Sequence, residues 1–188
     1  MFEDYSERLF AHYVTGRWRA PFASTALPVR LPDGRVPGQI VPAGPRDVAR
    51  AVAARDGADE AAIARAAHTV EAAQETLAQA SALQSGRAPD LAASLALAEG
   101  LRSQWLAPAD VLLSASNTDP GQIGAALGAG LRQGVIWCPP PDQAIFATTL
   151  ATVFQQADLP PGAFALLHAR VDPTEAALRM SGLQCLLL

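Results

Sequence analysis

The sequence predicts an α/β fold: an N-terminal strand pair and helices, followed by a partial Rossmann-like parallel sheet. Three observations carry this prediction. From residue 108 onward, short apolar runs alternate with helical patterns, the rhythm of strand–helix–strand units. Those runs are continuously apolar, as in strands buried on both faces. Between residues 12 and 41 the pattern is instead alternating and turn-rich.

Within "LPVRLPDGRVPGQIV" the turn signal Pro32–Asp33–Gly34 separates two extended runs and predicts a strand pair. In "AGPRDVARAVAARDG", Pro45 stands at a first helical position and Gly57 closes a short helix. A longer helix is expected from about Asp59 to Gln84, with Ile63, Val70 and Leu77 recurring every seven residues and Ala66, Ala73 and Ala80 three further on. That seam fits either a coiled coil with a partner or close packing within its own domain. A third helix, from Leu91 to Trp105, precedes Pro108.

The second part reads as four strands: "DVLLSAS", "VIWC", "AFALLH" and the terminal "LQCLLL". Pro120 and Gly134 bound one intervening helix, and Asp142 reads as the N-cap of another that runs to about Ala157. Asp172, Pro173 and Glu175 signal the start of a third. The division is thus 1–107 and 108–188, forming one compact unit.

Composition narrows the function. Half of the 188 residues are hydrophobic, enough for one genuine core, and the net charge of −4 argues against nucleic acid as a partner. All 14 basic residues are arginine, so no amine is available for Schiff-base chemistry or as a point charge on a phosphate or ribose. Neither a membrane span nor a leader is expected, and two cysteines suggest no disulfide framework; a cytoplasmic, reducing location follows.

Several segments then resemble the aldehyde dehydrogenase superfamily. "YVTGRW" is similar to its opening strand–Gly–x–Trp segment, and "LPDGRVPGQIVPAGPRDVARAVAAR" to the stretch that leads into its first helix. "GVIWCPPPDQAIFATTLATVFQQADLPPGAFALLH" follows the family's "N-x-V-V-x-K-P-S-E…A-x-LPPGV" block in the coenzyme domain. The spacing looks most like the degenerate second unit of two-unit aldehyde dehydrogenases.

The resemblance implies a site that has been altered. The family's "KPSE" lysine holds the adenine ribose of the nicotinamide cofactor, and its glutamate helps; here those positions are Cys138 and Pro141, with Pro139 beside them. Proline offers a ribose no side-chain partner and a thiol is a weak one. Cys138 therefore stands at a coenzyme-contact position and is not the family's nucleophile. Asn117, in "SASNTDP", matches the oxyanion-supporting asparagine without its aromatic neighbour.

The family's catalytic glutamate and nucleophilic cysteine would follow the last strand. The expectation is a non-catalytic, aldehyde dehydrogenase-like scaffold or regulatory subunit that associates with itself or with a full-length dehydrogenase. No cofactor is expected, with NAD or NADP the candidates if one binds. The alternative is the front part of a split NAD(P)-dependent aldehyde oxidoreductase completed by a chain bearing the nucleophile. A stand-alone nucleotide-binding module is a third reading.

Other chemistry reads as structural. Cys185 lies in an apolar strand, and His12, His68 and His168 share no metal-ligand spacing. His68 belongs on a solvated helix face, and His168 ends a strand. Gly121, Gly124, Gly128 and Gly130 are spaced unlike a phosphate loop and fit a helix that approaches the sheet closely. Asp110, Asp119 and Asp142 fit capping, and the three prolines fit a stiff connector.

Overall fold

A computed structural model describes residues 8–103, 106–169 and 182–188. The helix expected around Asp172, Pro173 and Glu175 lies outside them, as does Trp105.

A short three-stranded sheet is built from β1 (Leu9–Phe10), β4 (Leu27–Val29) and β5 (Gly38–Ile40), with β5 in the middle. The expected strand pair is β4–β5, antiparallel with Leu27 opposite Ile40. Leu31 donates to the Arg35 carbonyl across the Pro32–Gly34 turn, where Gly34 takes the left-handed φ of 86° that the turn requires.

The main sheet holds six strands in the order β3-β2-β8-β7-β6-β9. Its parallel part is β6 (Val111–Leu113), β7 (Val135–Cys138), β8 (Phe164–Leu166) and β9 (Cys185–Leu187), the four expected strands. To these the structure adds an antiparallel hairpin, β2 (His12–Val14) and β3 (Arg17–Arg19), joined to β8 at Tyr13–Leu166. The turn between β2 and β3 is Thr15–Gly16, both at positive φ. Thr lacks the strong left-handed preference of Asn or Gly, so this turn is faint in the sequence.

α1 (Pro45–Ala53) ends at Ala54, earlier than expected. Gly57 does not cap it; a side chain there would strike the Arg132 carbonyl, so close approach explains this glycine. The long helix is two: α2 (Glu60–Ala72), capped by Asp59, and α3 (Gln74–Ser85), broken at Ala73. Its seam faces inward, with Ile63, Ala66, Val70 and Leu77 buried against α4 (Leu91–Arg102) and α6 (Ala144–Gln156). Packing within its own domain is the observed use of the heptad pattern.

α5 (Pro120–Leu131) starts on the Asp119 cap and lies flat on α4. A side chain at Gly124 or Gly128 would strike the carbonyls of Leu97 or Leu101, so these glycines serve helix–helix contact, with Gly130 against Val135 of the sheet. Asp142 is not the cap of α6. It sits inside a 3-10 turn, Pro141–Gln143, and Gln84 of α3 does the capping: its Oε1 accepts from Ile145 N (2.8 Å) and Phe146 N (3.0 Å).

The two faces of the sheet are different. One, covered by α2–α6, is a large core around Trp137, Leu127, Leu150 and Phe154. The other, covered by α1 in the described residues, is smaller and includes Val48, Val111, Cys138 and Leu167.

Candidate functional site

In the parallel sheet the chain runs from β6 to β7 to β8 in one direction, whereas β9 lies on the other side of β6. Such a reversal of strand order opens a crevice beyond the carboxyl ends of the strands. A cleft of about 390 Å³ lies not between β6 and β9, where the order reverses, but beside it, at the carboxyl ends of β6 and β7, lined by Ser81, Gln84, Arg87, Asn117, Asp119 and Asp142 among others.

Its walls are held by a buried relay. Trp137 Nε1 donates to Ser114 Oγ (3.0 Å), Ser114 donates to Gln143 Oε1 (2.9 Å), and Gln143 Nε2 donates to the Ala115 carbonyl (2.9 Å). The relay locks the loop after β6 to the loop after β7. Thr118 Oγ1 accepts from Ala115 N and donates to the Leu188 carbonyl, tying the first loop to the end of β9. The amino ends of α4 and α5 also face the cleft, but Asp90 and Asp119 already cap them, through Ala93 N and Gln122 N.

The expected site residues separate. Asn117 is exposed on the cleft wall. Cys138, at the end of neighbouring β7, turns to the α1 face and is only 4% exposed. Burial, and to a smaller extent Cys185, pushes its thiol pKa far above the usual range, which disfavours the thiolate that nucleophilic attack requires. Pro139 is buried and Pro141 half-buried; neither lines the cleft. A ribose hydroxyl at this strand end would meet three prolines with no N–H to donate and a thiol directed inward. These groups do not fit the coenzyme contact that the resemblance assigns to them.

Asp110 does not cap a helix. Its carboxylate pairs with Arg55 and accepts from Gln184 N (2.8 Å), while Arg55 Nε donates to the Gly134 carbonyl (2.9 Å). The cluster joins the end of α1 to the starts of β6 and β9. His68 is exposed on α2, as expected. Among the described residues no group of three His, Cys, Asp or Glu is placed to hold a metal ion, and no helix is long and apolar enough to cross a membrane.

Sequence reasoning missed Gln84, Gln143 and Ser114, because each acts across 23 to 62 residues of chain. It also missed the pairing of the two buried histidines. His12 Nδ1 accepts from His168 N (3.2 Å), and His12 Nε2 lies 3.9 Å from Asp47 Oδ2.

The architecture matches solved aldehyde dehydrogenases. Aldehyde dehydrogenase C of Pseudomonas syringae, a variant solved with NAD+ and octanal, superimposes over 93% of this chain with a TM-score of 0.75 and 22% identity. HpcC of Thermus thermophilus matches over 92% (TM-score 0.73, 23% identity). A 3,6-anhydro-L-galactose dehydrogenase in complex with NAP matches over 91% (TM-score 0.77, 17% identity). The chain spans 44%, 42% and 44% of those proteins, respectively. Its fold is thus that of part of an aldehyde dehydrogenase. No family model and no curated protein sequence matches it.

Proposed function

We propose that this chain is a non-catalytic, aldehyde dehydrogenase-like unit with a scaffolding or regulatory role, and that its coenzyme contact has been abandoned. The observation that carries the reading is the end of β7: a buried thiol followed by Pro139, Pro140 and Pro141, where a ribose would need donors and acceptors. Its partner is a second copy or a full-length dehydrogenase subunit. Neither nucleic acid nor a membrane is required.

The second reading is the front part of an NAD(P)-dependent aldehyde oxidoreductase whose nucleophile lies on another polypeptide segment. The formed cleft favours it, with Asn117 on the wall and the Trp137–Ser114–Gln143 relay holding both loops. Such an asparagine could steady an oxyanion if a substrate carbonyl were delivered there.

Calorimetric titration with NAD and NADP separates the two, run beside light scattering. Absent binding together with a stable oligomer is the expected result. Micromolar binding of either nucleotide overturns the abandoned-contact reading and puts the split enzyme first.

A further inference from the structure

The α1 face of the main sheet carries a polar knot that none of the readings above uses. His12 of β2 is 0% exposed, His168 just past β8 is 1%, and Asp47 of α1 is 0%. Because His12 Nδ1 accepts from His168 N–H, the neutral ring carries its proton on Nε2, directed toward Asp47 Oδ2 at 3.9 Å. That nitrogen has no hydrogen-bond partner; the His168 ring nitrogens have none of good geometry, although the Ala11 backbone stands close enough to favour the protonated ring. The His168 ring packs near those of Phe10 (6.3 Å between centroids) and His12 (6.0 Å).

The surroundings are cationic. Arg50 of α1 bonds Asp47 (3.0 Å), and Arg19 of β3 stands opposite His12 in the register. The carboxylate of Asp47 is already engaged: it accepts from Phe22 N (3.3 Å), Gly44 N (3.2 Å) and Arg50. A proton added to His12 Nδ1 would set two donors face to face at the His168 N–H. In the sheet, the joint it would break has Tyr13–Leu166 as its registered pair between β2 and β8; Trp18 Nε1, donating to Gln155 Oε1 of α6 (3.2 Å), is a second tie.

We propose that His12 and His168 form an acid-sensitive latch that holds the hairpin of β2 and β3 to the parallel sheet and releases it, ahead of the helical core, when the pH falls below about 6. Burial is the first cause that keeps both rings neutral. It lowers His12 to about 4, with Arg50 adding to the effect, and His168 to about 3, with His12 adding to it and the Ala11 backbone opposing it. Once the seam opens, each ring regains an ordinary pKa of about 6.5, so protons are taken up only by the open form.

The test is hydrogen exchange on the full chain at pH 7.5 and 5.0, corrected for intrinsic exchange chemistry and read separately for 9–22 and for α5 and α6. Opening of the hairpin segment should rise about 30-fold per histidine, and about 1000-fold for both, while α5 and α6 change far less. His12→Asn keeps an acceptor for His168 N–H without a titrating ring and should reduce the rise to about 30-fold; His168→Phe should do the same independently. Equal acid response of hairpin and helices overturns the latch, as does an unchanged rise in both variants. Ring proton resonances of the unmodified chain give a further check: titration of the His12 and His168 rings near 6.5 overturns it as well.

Discussion

The two faces of the six-stranded sheet reach burial by different means. The face under α2–α6 is filled with alanine, leucine and aromatic carbon, and its helices approach so closely that glycine is required at Gly124 and Gly128. Its buried polar side chains include Ser114, Gln84 and Gln143, and each is hydrogen-bonded. The face under α1 is smaller and buries two imidazoles and a carboxylate, with His12 Nε2 left without a hydrogen-bond partner and the His168 ring without one of good geometry. Apolar packing is indifferent to pH, whereas buried imidazoles couple folding to it. One sheet thus combines a pH-insensitive face with a pH-sensitive one.

The largest expected effect breaks the apolar face. Trp137→Ala removes a fully buried ring and the donor that starts the relay to Ser114 and Gln143, and should cost about 4 kcal/mol in urea unfolding at pH 7.5. A loss under about 1 kcal/mol would mean that the ring does not anchor this core.

Acid should sharpen the contrast. Both histidines have folded-state pKa values below the unfolded value of about 6.5, so the unfolded chain binds protons first. Their contribution is complete above about pH 6.5 and is lost as the pH falls toward about 4, where folded His12 also protonates. At pH 5 the loss is about 2 kcal/mol per histidine, so His12→Asn should flatten the pH dependence of the urea midpoint by that amount. An unchanged slope would assign the acid response to carboxylates elsewhere.

The smallest effect probes polar satisfaction on the apolar face. Gln84→Ala leaves the amide groups of Ile145 and Phe146 without their acceptor and should cost about 1 to 2 kcal/mol, with faster exchange confined to the first turn of α6. Loss without that local signature would point to packing.

The apolar face was largely legible in the sequence, because period and punctuation are local signals. Pro45 and Pro120 mark helix starts, Gly134 turns at a φ of 82°, and the runs around Leu112, Ile136 and Ala165 are strands. The break at Ala73 escaped because alanine gives no sign of it. The polar face was illegible: nothing near His12 announces a partner 156 residues away, and Asp47 looks like any acid in a first helical turn. The cleft was half legible, since Asn117 was singled out while the groups that fix its loop come from other strands and helices.

Because Tyr13 pairs with Leu166, the hairpin of β2 and β3 has to wait for the intervening chain before it can dock. Until then Tyr13 and Val14, which the finished sheet buries on its two opposite faces, lack the elements that cover them. Long-range pairing of this kind slows folding and prolongs the exposure of sticky strands. The return of β8 to a strand about 150 residues earlier is thus the long-range closure that this topology demands of folding.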